Sequence, residues 1–87
     1  MKLFLISQDT NEGYETYTDV VVAAETGDVA RNMDPSEDGA LMDWDDQEKV
    51  VWSDWCRYPE DVSVKYLGEA VEGTRRSVIC ASFFSVG

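Results

Sequence analysis

The chain has 87 residues, 44% of them hydrophobic, and sets eighteen acidic against seven basic side chains for a formal net charge of −11, with no histidine. That length makes one domain, residues 1–87, which buries roughly 60% of its extended-chain surface in a small core. The hydrophobic fraction is that of a globular chain, and the charge argues against direct binding to DNA, RNA or an anionic membrane, since phosphate recognition needs Lys and Arg in number.

Lys2 to Gln8, KLFLISQ, is an apolar run of strand length with Leu3 and Leu5 on one face and Phe4 and Ile6 on the other. Two apolar faces predict a central strand. Asp9 to Gly13, DTNEG, is turn chemistry, with Asn11 and Gly13 able to take left-handed backbone angles. Tyr14 to Ala24, YETYTDVVVAA, is aromatic and β-branched and predicts a second strand, antiparallel to the first through a hairpin.

Thr26 to Met33 predicts a short helix capped by Thr26, with Asp28 in its first turn and Val29, Ala30 and Met33 on one face. Pro35 ends it. Asp34 to Gly39 reads as an exposed loop. From Asp43 to Trp55 no clean helical stripe emerges, and the alternation of Val50, Trp52 and Asp54 with Val51, Ser53 and Trp55 predicts a loop followed by a short strand near 49–55. Val62 to Ala70 alternates as a half-buried strand, Glu72-Gly73 is a turn signal, and Ser77 to Ser85 is a closing strand. The expected fold is α+β: a small antiparallel sheet of four to five strands with one short helix packed on a face.

Charge is unevenly placed. Residues 9–61 hold sixteen acids against Arg31, Lys49 and Arg57, a balance of −13. Within them, residues 34–61 carry ten carboxylates and all three tryptophans, Trp44, Trp52 and Trp55. Acidic groups threaded with indoles suit a surface that meets something basic, because Arg and Lys stack on aromatic rings and Trp is enriched at interfaces. The same rings also serve to complete a small core, each burying up to about 250 Å². Both readings of the tryptophans stand on sequence alone.

Catalysis has little to work with, as the commonest general base and metal ligand is missing. Asp45 and Asp46 form a carboxylate pair, but a useful pKa requires a pocket that so short a chain is hard put to enclose. DWDDQE places Asp43, Asp45, Asp46 and Glu48 within six residues, hard ligands for Ca²⁺ or Mg²⁺. The EF-hand pattern fails on them: counted from Asp43, the sixth position is Glu48 rather than Gly and the twelfth is Asp54. No resident metal or other cofactor is expected. Two cysteines allow at most one disulfide; the expected state is two free thiols, Cys80 buried in its strand and Cys56 at the surface, its pKa open to lowering by Arg57. No apolar run approaches the roughly 20 residues of a bilayer span, and the opening apolar run is too short for a signal peptide, so the expected location is the cytoplasm.

The opening MKLFLISQD, the segment GYETYTDVVVAAE with ARNM after it, the VSVKYLGEA strand and the ending VICASF resemble small uncharacterised proteins of bacteriophages and prophages. The resemblance covers both ends of the chain and skips most of the acidic middle. In size and charge the chain is also similar to acidic anti-CRISPR and anti-restriction inhibitors, several of which mimic DNA. That resemblance implies a non-catalytic inhibitor in the host cytoplasm, a monomer or small homo-oligomer, whose partner is a basic nucleic-acid-binding protein or complex. The residues expected to meet the partner are Asp43, Trp44, Asp45, Asp46 and Glu48, supported by Glu37, Asp38 and Asp54. On an extended segment, Asp43 and Asp45 would share one edge and Asp46 and Glu48 the other, imitating two phosphate rows. The other readings are a small phage assembly protein that pairs through its sheet edge, and a weak divalent-cation binder.

Overall fold

β1 (Lys2–Ser7) and β2 (Thr16–Ala24) pair antiparallel along their lengths, with Phe4 opposite Val22 and Ile6 opposite Val20. The computed structural model describes residues 1–11 and 16–84, Phe83 and Phe84 by backbone alone. The Gly13 turn, the start of the second strand at Tyr14 and the end of the last at Ser85 lie outside the described residues. After β2 come α1 (Gly27–Arg31), α2 (Gln47–Trp52), a 3₁₀ turn at Pro59–Asp61, β3 (Ser63–Glu69) and β4 (Ser77–Phe84). The sheet is antiparallel throughout, in the order β3-β1-β2-β4. The doubly apolar β1 is therefore central, as its pattern predicts.

β2 and β3 each run antiparallel to β1, so they are parallel to one another with β1 between them. Parallel strands cannot be joined by a tight turn, and the residues between them cross one face of the sheet. That crossing is the second layer. Phe4, Ile6, Val20, Val22 and Ala24 from the sheet meet Ala30, Met33, Met42, Val50, Trp55, Cys56 and Val62 from the crossing in one buried cluster. The 19 Å shortest dimension, against 35 and 30 Å, is that of a sheet with a single covering layer.

α1 forms where the sequence signals it. Thr26 is extended and its hydroxyl accepts the Val29 N–H at 3.2 Å, with Asp28 in the first turn. The second helix overturns the expected strand near 49–55. Asp46 caps it, its carboxylate accepting the Lys49 N–H at 3.2 Å, and Val50 is its buried residue. The alternation around Val50 misleads because Val51 and Trp52 both face solvent. Among the described residues the sheet therefore has four strands, with two short helices over it.

The Glu72-Gly73 turn is present, with Thr74 N–H bonded to the Val71 carbonyl at 3.1 Å and Gly73 at φ 90°. It does not close a hairpin: β3 and β4 are opposite edges, and residues 70–76 carry the chain past the ends of β1 and β2. The cysteines exchange their expected places. Cys56 is buried in the core and Cys80 is exposed on β4; both are free thiols. Burial, with Asp61 beside it, pushes the Cys56 thiol up to about 11, the reverse of the lowering expected from Arg57.

Candidate acidic interface

Residues 34–41 form a closed loop. Met33 and Leu41 make an antiparallel bridge, and Asp34 N–H bonds the Ala40 carbonyl at 2.9 Å. Inside the loop the Asp34 carboxylate accepts the N–H and hydroxyl of Ser36 at 2.9 and 2.6 Å. The loop is docked on the sheet rather than free. Asp38 accepts the Val78 N–H at 2.7 Å and pairs with Arg75 at 3.2 Å, and the Gly39 carbonyl accepts from Arg76 Nε at 2.8 Å. Gly39 sits at φ +81°, and a Cβ there would stand 2.7 Å from the Arg76 carbonyl oxygen, so the docked loop requires glycine.

Asp43 to Asp46 is a turn, closed by Asp46 N–H to the Asp43 carbonyl at 3.1 Å. A turn followed by a helix cannot lay out two straight acidic edges, so the pairing of Asp43 with Asp45 and of Asp46 with Glu48 expected of an extended segment is not formed. Asp43, Asp45 and Glu48 are exposed, while Asp46 is half-buried under its capping bond. Glu37 is exposed on the docked loop. Glu37, Asp43, Asp45 and Glu48 make no ion pair with any described residue. Asp54 lies beyond α2 at φ 58°, a region Asp tolerates better than most residues, and its carbonyl accepts the Tyr17 N–H at 3.0 Å.

The three tryptophans have three different settings. Trp55 is 1% exposed in the core, and its Nε1 has no partner among the described residues. Trp44 is half-buried against the core, and its Nε1 donates to Asn32 Oδ1 at 2.8 Å. Trp52 is 77% exposed at the end of α2. The indole the sequence singles out, Trp44, is thus a packed one, and the solvent-facing one is Trp52.

Trp52 walls a groove of about 280 Å³ with Asp34, Glu37, Leu41, Asp43 and Lys49. On the other side of α2 a cleft of about 430 Å³ is lined by Asn11, Val51, Trp55, Arg57, Tyr58 and Asp61. Val51, 55% exposed, lines the cleft, as Trp52 lines the groove. The arrangement joins an indole face to the carboxylates of Glu37 and Asp43, which have no ion-pair partner among the described residues, and this is the chemistry that takes up a guanidinium or ammonium group. Sequence reasoning misses Trp52, Asp34 and Leu41 as members of one groove. The signal for α2 is Asp46 followed by Gln47 and Glu48, a cap with an acid in the first turn.

Among the described residues, no group of three or more acidic or Cys side chains stands close enough together to hold a metal ion, and no helix is long and apolar enough to cross a membrane. No family model, curated protein or solved structure matches the chain.

Proposed function

We propose that this protein is a non-catalytic inhibitor of phage type that occupies the basic nucleic-acid-binding surface of a bacterial CRISPR or restriction complex. The observation that carries the reading is the grouping of Glu37 and Asp43 around the 77% exposed Trp52, with Asp45 and Glu48 in the adjoining turn and helix. Exposed carboxylates with no ion pair among the described residues stand in for phosphates, and the indole anchors the complex by stacking on an Arg or Lys of the partner. The −13 of residues 9–61 steers the encounter. The sheet holds this layer in place. The protein acts in the cytoplasm of the host cell, where such complexes work.

The test is displacement of labelled duplex DNA from purified CRISPR effectors and restriction enzymes at low salt. Release of the duplex in proportion to added protein, without binding of the duplex by the protein itself, supports the reading. Retention of the duplex by every complex tried, or binding of the duplex by this chain, contradicts it.

A further inference from the structure

β4 is an outer strand, and its eight residues, SVICASFF, carry no charge in a chain of which 29% is charged. Exposed sheet edges are templates for pairing, and proteins blunt them with charges and bulges. The opposite edge is blunted so: β3 carries Lys65 and Glu69 and is irregular at Leu67. β4 is guarded at its start, where Asp38 takes the Val78 N–H, and is irregular at Ile79. Beyond that point Cys80, Ala81 and Ser82 are exposed, Ile79 is 52% exposed, and no described residue pairs with the outer edge.

We propose that the outer edge of β4 pairs with β4 of a second copy of this chain, antiparallel about a two-fold axis, so that two four-stranded sheets become one. The edge suits a second copy electrostatically. Two molecules at −11 repel in most approaches, and a basic partner gains nothing from an uncharged edge. On β4 neither copy presents a charge. The carboxylate nearest the edge is Asp38, which is paired with Arg75 of its own chain at 3.2 Å and sits at Val78, before the pairing begins; on the strands the nearest is Asp19, opposite Ser82 and one strand further in.

The register follows from the fold. A two-fold axis normal to the sheet sets side chains of the same face opposite one another. Cys80 and Ser82 share the face that carries Val21 and Asp19. With Val78 already bonded to Asp38, pairing begins after it and centres on Ala81, which places Cys80 of each copy opposite Ser82 of the other. Such an interface uses the same patch on both copies, so it closes at two chains. This inference is independent of the proposed inhibitor function.

Sedimentation equilibrium over a wide concentration range tests it. The wild-type mass is expected to rise from one chain to two and no further, and the association to tighten as NaCl screens the two acidic layers. The double variant Cys80→Glu/Ser82→Glu sets like charges opposite each other and is expected to weaken association by about tenfold or more. The variant Cys80→Lys/Ser82→Lys behaves alike, and an equimolar mixture of the two variants recovers a dimer of one chain of each. Both positions are exposed, so each variant should keep the wild-type circular dichroism. Wild type at one chain's mass at every concentration overturns the proposal. So does a Glu variant that dimerises as tightly as wild type, or a mixture that fails to recover the dimer.

Discussion

The Asp38 carboxylate accepts the Val78 backbone N–H at 2.7 Å across forty positions of sequence, and its second oxygen pairs with Arg75 at 3.2 Å. One of the acids expected to meet a partner thus ties the acidic loop to the first residues of β4. Asp38→Ala leaves the Val78 N–H without its acceptor and is expected to destabilise the fold by about 1–3 kcal/mol in chemical denaturation. Asp38→Asn keeps an acceptor oxygen and should cost less. Equal stability of the alanine variant and wild type would show that the loop is held elsewhere.

The acidic surplus predicts a second behaviour. Screening of the −13 in residues 9–61 should raise the melting temperature steadily from low salt to about 0.5 M NaCl. Asp43→Asn, Asp45→Asn, Asp46→Asn and Glu48→Gln together should raise it at low salt and flatten the salt dependence. Asn is as good a helix cap as Asp, so α2 survives the change at Asp46, whereas Asp46→Ala should cost about 1 kcal/mol. A wild-type melting curve indifferent to salt would mean that the repulsion is already neutralised.

The tryptophans separate by setting. Trp55→Ala empties the core and should cost about 3–5 kcal/mol. Trp52→Ala should stay within about 0.5 kcal/mol of wild type, as for other exposed positions. Acrylamide quenching of the native protein should fall sharply in Trp52→Phe and little in Trp44→Phe. Quenching carried by Trp44 instead would place the wrong indole at the surface.

These contrasts show what sequence could convey. The strands of the sheet were legible because a doubly apolar run such as Leu3 to Ile6 and a β-branched run such as Val20 to Val22 have few other uses. α1 was legible through Thr26, whose hydroxyl caps it. α2 was hidden because it is six residues long and buries only Val50, so no 3.6-residue stripe develops. The cysteines were misread because Cys80 sits in an apolar strand whose exposure depends on its being an edge, a property of strand order. Asp38 looked like its acidic neighbours because its partner, Val78, is remote in sequence. The groove around Trp52 draws Asp34, Glu37 and Leu41 from before the helix, a juxtaposition only the docked loop creates.

Cys56 gives the fold a dependence on alkaline pH. Its thiol is raised from 9.0 to about 11, so the native state favours the protonated form. The stabilisation is complete below the unfolded-state value near 9 and is lost as pH rises from there to about 11. The Cys56 thiol donates to the Tyr58 carbonyl at 3.4 Å. The melting temperature should fall across that window more steeply for wild type than for Cys56→Ser, whose hydroxyl does not titrate and can still make that bond. At neutral pH an aromatic disulfide reagent should titrate Cys80 alone, and Cys56 only after unfolding.

The most direct measurement of the central claim is stopped-flow association with a CRISPR effector or restriction enzyme whose bound duplex the wild-type protein displaces. It compares wild type with the variant neutralised at Asp43, Asp45, Asp46 and Glu48 and with Trp52→Ala. The account predicts that the neutralised variant associates more slowly by about tenfold or more at low salt, the difference closing as salt is added. It predicts that Trp52→Ala associates at the wild-type rate and dissociates faster, as loss of an anchor requires. If both variants bind as fast and hold as long as wild type, the acidic layer is a solvated surface and the account is wrong.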